Sequence, residues 1–369
     1  MFLDLSKAYD CLNRSILIEK LDLYGIRGNA KQWLVSYLEN RKQCVSITKN
    51  NTTSRSEILK NNIGIAQGSI LGPLLFIVFA NDLSTVADEA FQNIVKYADD
   101  TNLIIGSKKL NDVLIKSQIF FNLVTEWFNK NKLILNKEKT NVIIFSTKQS
   151  TVVRPEWIEL GNLNIAISEN AKFLGVYINE NLDWSTHINS TVKKLNSICY
   201  CLRITGRYMN EETLRITYLA NFESVLRYGI IFWGRQSLTQ SVFVAQKRAV
   251  RVVKNKSYLE SCRGEFRNLG IMTVYGIYIY ECIMFFVKNK ERFEPQNINI
   301  TNTRTLQVNY PAHRLTLTER CPHYMCLKLF NALPRHIKTI SNQKKFKKEL
   351  KKYLVNKEPY NLKDVIPSL

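Results

Sequence analysis

The chain has 369 residues, and 52 Lys and Arg against 31 Asp and Glu give it a formal net charge of +21 at pH 7, which predicts an anionic partner. With 45% hydrophobic residues, 14 Gly and 8 Pro, the composition excludes disordered and collagen-like proteins and predicts two or three packed domains. Eight scattered cysteines without a CxxC pair or a preceding secretory signal argue against a disulfide scaffold and predict reduced thiols in an intracellular protein.

The first predicted elements are a strand, two helices and a hairpin. Residues 1–5 predict a short apolar strand that contains one carboxylate, Asp4. Apolar residues at helical spacing follow until Gly25, and a second helix is predicted around residues 33–38. Two strand-like runs joined by a polar loop predict a hairpin over residues 43–60.

Two apolar segments come next. Residues 70–80 predict a buried helix, and the Gly, Gln, Ser and Pro residues within 63–81 argue against a membrane span there. Residues 94–105, IVKYADDTNLII, predict a hairpin whose tip carries Asp99 and Asp100.

The strand and helix signals alternate up to about residue 185. A helix over 115–129, a strand over 142–145 and a strand pair over 173–178 follow the hairpin. The pattern predicts an α+β unit with an antiparallel sheet.

The rest of the chain predicts helices. Apolar stripes cover residues 188–202 and 214–226, residues 288–312 predict a linker, and a lysine-rich helix spans 341–353. A helix over 236–256 would place four cations on one face. They are Lys247, Arg248, Arg251 and Lys254. Such a charge run is also typical of a solvated surface.

Three acidic residues suggest a metal site. Asp4 ends an apolar strand, where a buried charge is costly unless it is paired or metal-bound. Asp99 and Asp100 repel each other, and a divalent cation would relieve this repulsion. Each acid alone is more typical of a solvated cap or of a turn. Together they predict a site for Mg²⁺-dependent phosphoryl transfer.

Several motifs, in order, resemble the reverse transcriptases of jockey-like non-LTR retrotransposons. Three segments of this sequence resemble the family's motifs. The segment FLDLSKAYDCLN is similar to the first catalytic motif, GIAQGSILGPLLFIVFANDL to the nucleotide-pocket motif, and YADD to the second catalytic motif. Further similar segments are LILNKEKTNVIIF, FLGVYINENLDW and LKLFNALPRHIK. The resemblance covers nearly the whole chain.

This resemblance implies roles for individual residues. Asp4 and Asp99 would be the principal ligands of two Mg²⁺ ions, with Asp100 as a nearby third acid and the Leu5 carbonyl as a further metal contact. Tyr9 would lie under the sugar of the incoming dNTP and exclude a 2′-hydroxyl. Without the motif, Tyr9 is more typical of a half-buried core aromatic.

Further residues would contact the substrates. Gln67 and Gly68 would approach the template and nucleotide pair, although a Gln-Gly pair alone indicates only a turn. Lys139 would lie near the pyrophosphate leaving group, although alone it is more typical of a solvated lysine. Three residues would position the primer end and can equally form a core strand. They are Phe173, Leu174 and Gly175.

The resemblance also implies the organisation of the chain. We expect a right-hand polymerase with a palm at 1–185, a helical thumb-like region at 186–290, and a linker with a basic helical extension at 291–369. The fingers that precede the first catalytic motif in the family are expected to be absent, so primer extension by this chain is expected to be poor.

The implied function is RNA-directed DNA synthesis on an RNA template from a DNA primer. A sequence-independent channel would be lined by the basic helix face. We expect no membrane and no structural zinc, because the spacing of His323 between Cys321 and Cys326 fits zinc poorly. The expected location is the nucleus and cytoplasm, as a ribonucleoprotein. The alternative is a catalytically silent nucleic-acid-binding relic of a degenerate element.

Overall fold

The structure is a computed structural model that describes residues 1–90, 93–147, 149, 153–293, 308–313 and 316–366. It contains two compact units, Met1–Phe173 and Leu174–Leu369. Among the described residues, no helix combines the length and the apolar character needed to cross a membrane.

The first unit combines short strands with six helices in its described part. Its strands are β1 (Phe2–Leu3), β2 (Lys42–Gln43), β3 (Ser46–Lys49), β4 (Thr52–Arg55), β5 (Leu59–Lys60), β6 (Asn93–Tyr97), β7 (Asp100–Ile104), β8 (Trp157–Leu160), β9 (Leu163–Ala166) and β10 (Asn170–Phe173). Its helices are α1 (Ala8–Cys11), α2 (Arg14–Leu23), α3 (Gly28–Leu38), α4 (Leu71–Ala80), α5 (Leu83–Ala90) and α6 (Leu110–Lys130).

The central sheet of this unit has the strand order β1-β7-β6. Both pairings are antiparallel, with Leu3 opposite Thr101 and Tyr97 opposite Asp100. The predicted α+β class with an antiparallel sheet is therefore confirmed, as is the hairpin at residues 94–105. The hairpin predicted at 43–60 is also present, as the pairs β2-β5 and β3-β4.

Two predictions for this unit need correction. Helix α4 is only half buried, because Leu75, Phe76 and Phe79 face the core while the side chain of Leu74 is 55% exposed. The strand predicted at 142–145 is reduced to isolated bridges at residues 141 and 142, since no neighbouring strand continues the pairing.

The second unit is mainly helical. Its elements are β11 (Val176–Asn179), α7 (Ser185–Thr205), α8 (Glu211–Thr217), a π-helix (Tyr218–Glu223), α9 (Ser224–Arg227), α10 (Ile230–Trp233), α11 (Thr239–Val253), α12 (Glu265–Asn268), α13 (Val274–Lys288), α14 (Lys290–Phe293), α15 (Thr316–Arg320), α16 (Pro322–Asn331), α17 (Arg335–Lys338), α18 (Gln343–Lys357) and a 3₁₀ turn (Leu362–Asp364).

One continuous hydrophobic core extends through the second unit. Phe286 on α13 packs with Phe330 on α16, and Leu350 on α18 belongs to the same buried cluster. The regions predicted as a thumb and a C-terminal extension therefore lie in one unit, whose first residue, 174, precedes the predicted boundary at 185. Much of the predicted linker at 288–312 lies outside the described residues.

Candidate active site

Asp4 lies just beyond strand β1, at the end of the central sheet. Its backbone carbonyl accepts a hydrogen bond from the Asn136 amide (2.8 Å), and the Ser6 amide donates to the Ile134 carbonyl (2.8 Å). The bridge between Leu5 and Leu135 continues this pairing beyond the end of β1. The negative charge of Asp4 acts on Asp100, so Asp4 lies close to the β6-β7 turn.

Asp99 and Asp100 lie at that turn. Ala98, the residue before them, has a left-handed φ of 52°, and β7 starts at Asp100. The register of β1 and β7, extended by one residue, sets Asp100 opposite Asp4. The pKa of the Asp100 carboxyl is raised, first by burial and then by the negative charges of Asp99 and Asp4. Asp4, Asp99 and Asp100 therefore form one acidic corner.

We expect Asp100→Asn to raise the thermal stability of the protein. A carboxyl whose pKa is higher in the folded than in the unfolded state lowers the free energy of unfolding at neutral pH. This destabilisation disappears when the pH falls below 3.8, the ordinary pKa of an aspartate, because the carboxyl is then protonated in both states. The melting temperature should rise by about 1–3 °C at pH 7 and remain unchanged near pH 3. Scanning calorimetry at both pH values measures this difference.

The matched control is Asp112→Asn. Asp112 lies in the first turn of α6, where a negative charge is favourable, so its replacement should not increase stability. An equal rise in both variants at pH 7 would show that the burial of Asp100 and the neighbouring charges of Asp99 and Asp4 are not the cause.

Tyr9, on α1, lies beside the acidic corner. Its ring stacks on Phe76 of α4, with 4.8 Å between ring centroids and 21° between ring planes. Burial and the negative charge of Asp99 both raise the pKa of its phenol. Tyr9 is therefore half buried, as expected of a core aromatic, and also adjacent to Asp99, as expected of a residue at the nucleotide sugar.

The loop that carries Gln67 and Gly68 is attached to α1. The Gln67 amide donates to the Asp10 carboxylate (3.0 Å), and the Ile65 amide donates to the Tyr9 carbonyl (2.8 Å). At Gly64, a Cβ atom would lie 2.5 Å from the Asp10 carbonyl oxygen, so only glycine allows this close approach. The Gln67 side chain is thereby held against Asp10, the residue that follows Tyr9.

Arg14 stabilises the same loop, a role that the sequence analysis missed. It is 8% exposed, and its guanidinium donates to the carbonyls of Asn61 (2.7 Å), Ile63 (2.8 Å) and Gly64 (2.7 Å). A single arginine on a helix carries no sequence signal for such contacts, because its acceptors are backbone atoms about fifty positions away.

Lys139 reaches the acidic corner from a turn. Its ammonium nitrogen lies 3.6 Å from an Asp4 carboxylate oxygen, and its side chain is 69% exposed. Asn136 shapes this turn, since its side chain accepts the Lys139 amide (3.3 Å) while its own amide donates to Asp4. Lys139 is thus both solvated and close to Asp4, and Asn136 is a positioning residue that sequence analysis did not identify.

The acidic corner has ligand types that suit Mg²⁺, without forming a closed cage. Among the described residues, no three His, Cys, Asp or Glu side chains converge closely enough to surround one ion. The convergence of all three carboxylates on a metal is therefore not found. Proteins commonly hold Mg²⁺ through one or two carboxylates, with water and substrate phosphates completing the shell. Asp4 and Asp99 fit this open type of site, and the Leu5 carbonyl stays the further contact that the resemblance implies.

Phe173, Leu174 and Gly175 lie at the end of β10 and in the turn that follows. Leu174 and Gly175 have left-handed φ values of 47° and 81°, and the Tyr228 hydroxyl donates to the Leu174 carbonyl. The Phe173 ring lies 6.0 Å from that of Phe2. Their role at a primer end stays a prediction.

The basic face of α11 is largely engaged in contacts within its own unit. Lys254 forms an ion pair with Glu211 (2.8 Å), and Arg251 donates to the Glu260 carbonyl (2.8 Å). The Arg248 guanidinium lies 5.9 Å from the Tyr258 ring, and the Lys247 ammonium 4.8 Å from the Phe243 ring. The predicted helical spacing is present, but part of its charge is neutralised, most clearly at Lys254. Nucleic-acid binding there stays a prediction.

His323, the histidine between Cys321 and Cys326, packs against an aromatic ring. Its ring stacks on Phe293 at 4.3 Å, and burial lowers its pKa.

Comparisons with known proteins place the first unit in a family context. Residues 1–178 match the family described as reverse transcriptase (RNA-dependent DNA polymerase). A probable RNA-directed DNA polymerase from transposon BS of Drosophila melanogaster is 28% identical over 74% of this chain and 31% of the relative. The RNA-directed DNA polymerase from mobile element jockey, of the same species, is 28% identical over 51% of this chain and 20% of the relative.

The chain therefore spans about a third or less of these curated relatives. A solved structure of telomerase from Candida albicans, in complex with a fragment of telomeric RNA, can be aligned with this chain at 12% sequence identity. The aligned region covers 80% of this chain and 49% of the telomerase chain. Its TM-score of 0.24 is too low to establish a common fold.

Proposed function

We propose a function for this chain from one premise: residues 1–178 belong to the reverse transcriptase family, in the branch carried by jockey-like non-LTR retrotransposons. The resemblance inferred from the motifs is thereby confirmed. The proposed function is RNA-directed DNA synthesis, in which a deoxynucleotide is joined to a primer 3′-hydroxyl and pyrophosphate is released. The observation that carries the proposal is the acidic corner, with Tyr9 and Lys139 on its borders.

The residues in and around the acidic corner would have different roles in this reaction. Asp4, Asp99 and the Leu5 carbonyl would hold two Mg²⁺ ions, which supply positive charge to the attacking and leaving oxygens. Lys139, close to Asp4, would contact the leaving pyrophosphate as a cation. Tyr9 would exclude the 2′-hydroxyl, while Gln67 and Gly68 would contact the paired template base and nucleotide.

The wider assignments belong to the same proposal. The first unit would be the palm, the helices after residue 185 a thumb, and the turn at Phe173, Leu174 and Gly175 a primer grip. Support comes from the antiparallel sheet under the acidic corner and from the excess of basic residues, which suits a phosphate backbone bound without regard to sequence. The expected partners are an RNA template, a DNA primer and dNTPs, in the nucleus and cytoplasm.

Primer extension tests this function. The chain, alone and joined to a fingers segment from a family member, is mixed with a DNA primer annealed to an RNA template, Mg²⁺ and one dNTP at a time. We expect addition only of the nucleotide complementary to the first template base, because the reaction is directed by pairing. The rate should fall to background when EDTA removes the divalent cation.

Binding of the same primer-template, measured by fluorescence anisotropy, separates the alternatives. Binding without extension at any Mg²⁺ concentration, by the chain alone and by the fusion, would favour the catalytically silent relic over the polymerase. Extension that ignores the template base would contradict template-directed synthesis.

A further inference from the structure

A basic cavity lies in the first unit, apart from the acidic corner. Its volume is about 310 Å³. Three cations line it, Arg14, Arg41 and Lys42, together with a single carboxylate, Asp10. Its polar lining suits a charged group rather than an apolar ligand.

The cations of this cavity are crowded together. The positive charge of Arg41 lowers the pKa of Arg14, as does burial, which is the larger cause. Lys42 on β2 stands directly opposite Lys60 on β5, and like charges at paired positions destabilise a sheet. An anion bound between these side chains would relieve the repulsion.

The acidic side chains nearby do not provide that anion. The Asp10 carboxylate already accepts a hydrogen bond from Gln67. In the described part of the chain, no carboxylate lies within ion-pair distance of Arg41 or Lys42. Arg14 uses three of its five N–H donors on backbone carbonyls, so it mainly forms the wall of the cavity. Arg41 and Lys42 are therefore the side chains best able to contact a bound anion.

We propose that this cavity binds a phosphate group of the nucleic-acid backbone, as a positioning site for the template strand. The proposal rests on the proposed function, because the polynucleotide is the substrate of that reaction. A guanidinium beside an ammonium suits a phosphodiester oxygen pair, and the Tyr37 ring, 5.4 Å from the Arg41 Cζ, supports the guanidinium.

The backbone phosphate is favoured over the triphosphate of the nucleotide. A phosphodiester carries one negative charge and tolerates the nearby Asp10, whereas a triphosphate, with about four, would be repelled more strongly. None of the acids of the acidic corner lines the cavity, although a reacting triphosphate must lie against them. Gln67 does line it, so a strand held there would pass beside the loop proposed to meet the template base.

The test compares two double variants with the same loss of charge. Arg41→Gln with Lys42→Gln removes the cavity cations, and Lys49→Gln with Arg55→Gln removes two exposed cations from the adjacent β3-β4 hairpin. Fluorescence anisotropy measures the affinity of each protein for the RNA template and DNA primer at several salt concentrations. Steady-state extension gives the KM for dNTP.

We expect the cavity variant to bind primer-template at least about 10-fold more weakly at 0.1 M salt. Losing two phosphate contacts should also reduce the slope of log affinity against log salt by about 1.4–1.8. The hairpin variant should lose about twofold or less, and the KM for dNTP should change little in either variant.

Each other outcome overturns the assignment in a distinct way. Equal losses in both variants would indicate only a general charge effect. A raised KM for dNTP with unchanged primer-template affinity would identify the triphosphate as the ligand. If the wild-type chain binds no primer-template, both the proposed function and the phosphate site are wrong. If the wild-type chain binds but the two double variants lose the same affinity, only the assignment of the cavity is wrong.

Discussion

Replacement of Asp99 by alanine, in the chain joined to a family fingers segment, is expected to reduce primer extension by at least about 10³-fold, because the variant loses a carboxylate that would hold the cations at the reacting phosphate. Asp99 has this importance because of its position: it is the last residue of the β6-β7 turn, directly before Asp100, and its charge acts on the Tyr9 phenol. Single-turnover incorporation of one complementary dNTP measures the chemical step without product release.

The same variant should bind primer-template at least as tightly as the wild type. Removing a negative charge from the surface that faces a polyanion does not weaken its attraction. The matched control, Asp112→Ala, removes an exposed carboxylate from α6 and should keep near wild-type extension. Undiminished extension by Asp99→Ala would refute the role of the acidic corner, and a parallel loss of binding would point to misfolding instead.

The sequence was sufficient to predict elements whose signals are local. The β6-β7 hairpin follows from strand runs on either side of two acids, and the stripe of α7 follows from apolar residues such as Ile188 and Leu195 at helical spacing. The hairpin β8-β9 was missed although its burial alternates, because four-residue strands give a weak periodic signal. The half-exposed α4 was predicted to be buried, since a uniformly apolar run does not reveal which face packs.

The site was predictable only in part, for a related reason. The motifs that resemble those of the family identify Asp4, Tyr9 and Asp99 as candidate site residues, whereas each residue alone has an ordinary structural explanation. Arg14 and Asn136 act through backbone atoms of distant segments, and such contacts leave no pattern in one sequence. The basic face of α11 shows the converse: its spacing was correct, but the pairing of Lys254 with Glu211 depends on how α8 and α11 pack.

In the chain joined to a family fingers segment, we expect Tyr9→Val to lower the selectivity for dNTP over rNTP by about 10- to 100-fold, as removal of a steric block permits. Stacking on Phe76 fixes the Tyr9 ring, so the ring can act as a rigid barrier to a 2′-hydroxyl. Valine is smaller and leaves Asp4 and Asp99 in place, so incorporation of dNTP should be largely preserved. Single-turnover incorporation of matched dNTP and rNTP gives the ratio directly.

Tyr9→Phe separates the ring from its hydroxyl. Phenylalanine keeps the stacked ring and removes only the phenol, whose pKa is raised by burial and by Asp99. A steric barrier made by the ring therefore predicts wild-type selectivity for Tyr9→Phe and relaxed selectivity for Tyr9→Val. If both variants relax equally, the hydroxyl rather than the ring makes the discrimination; if neither does, Tyr9 is a core aromatic that packs on Phe76 without contacting the sugar.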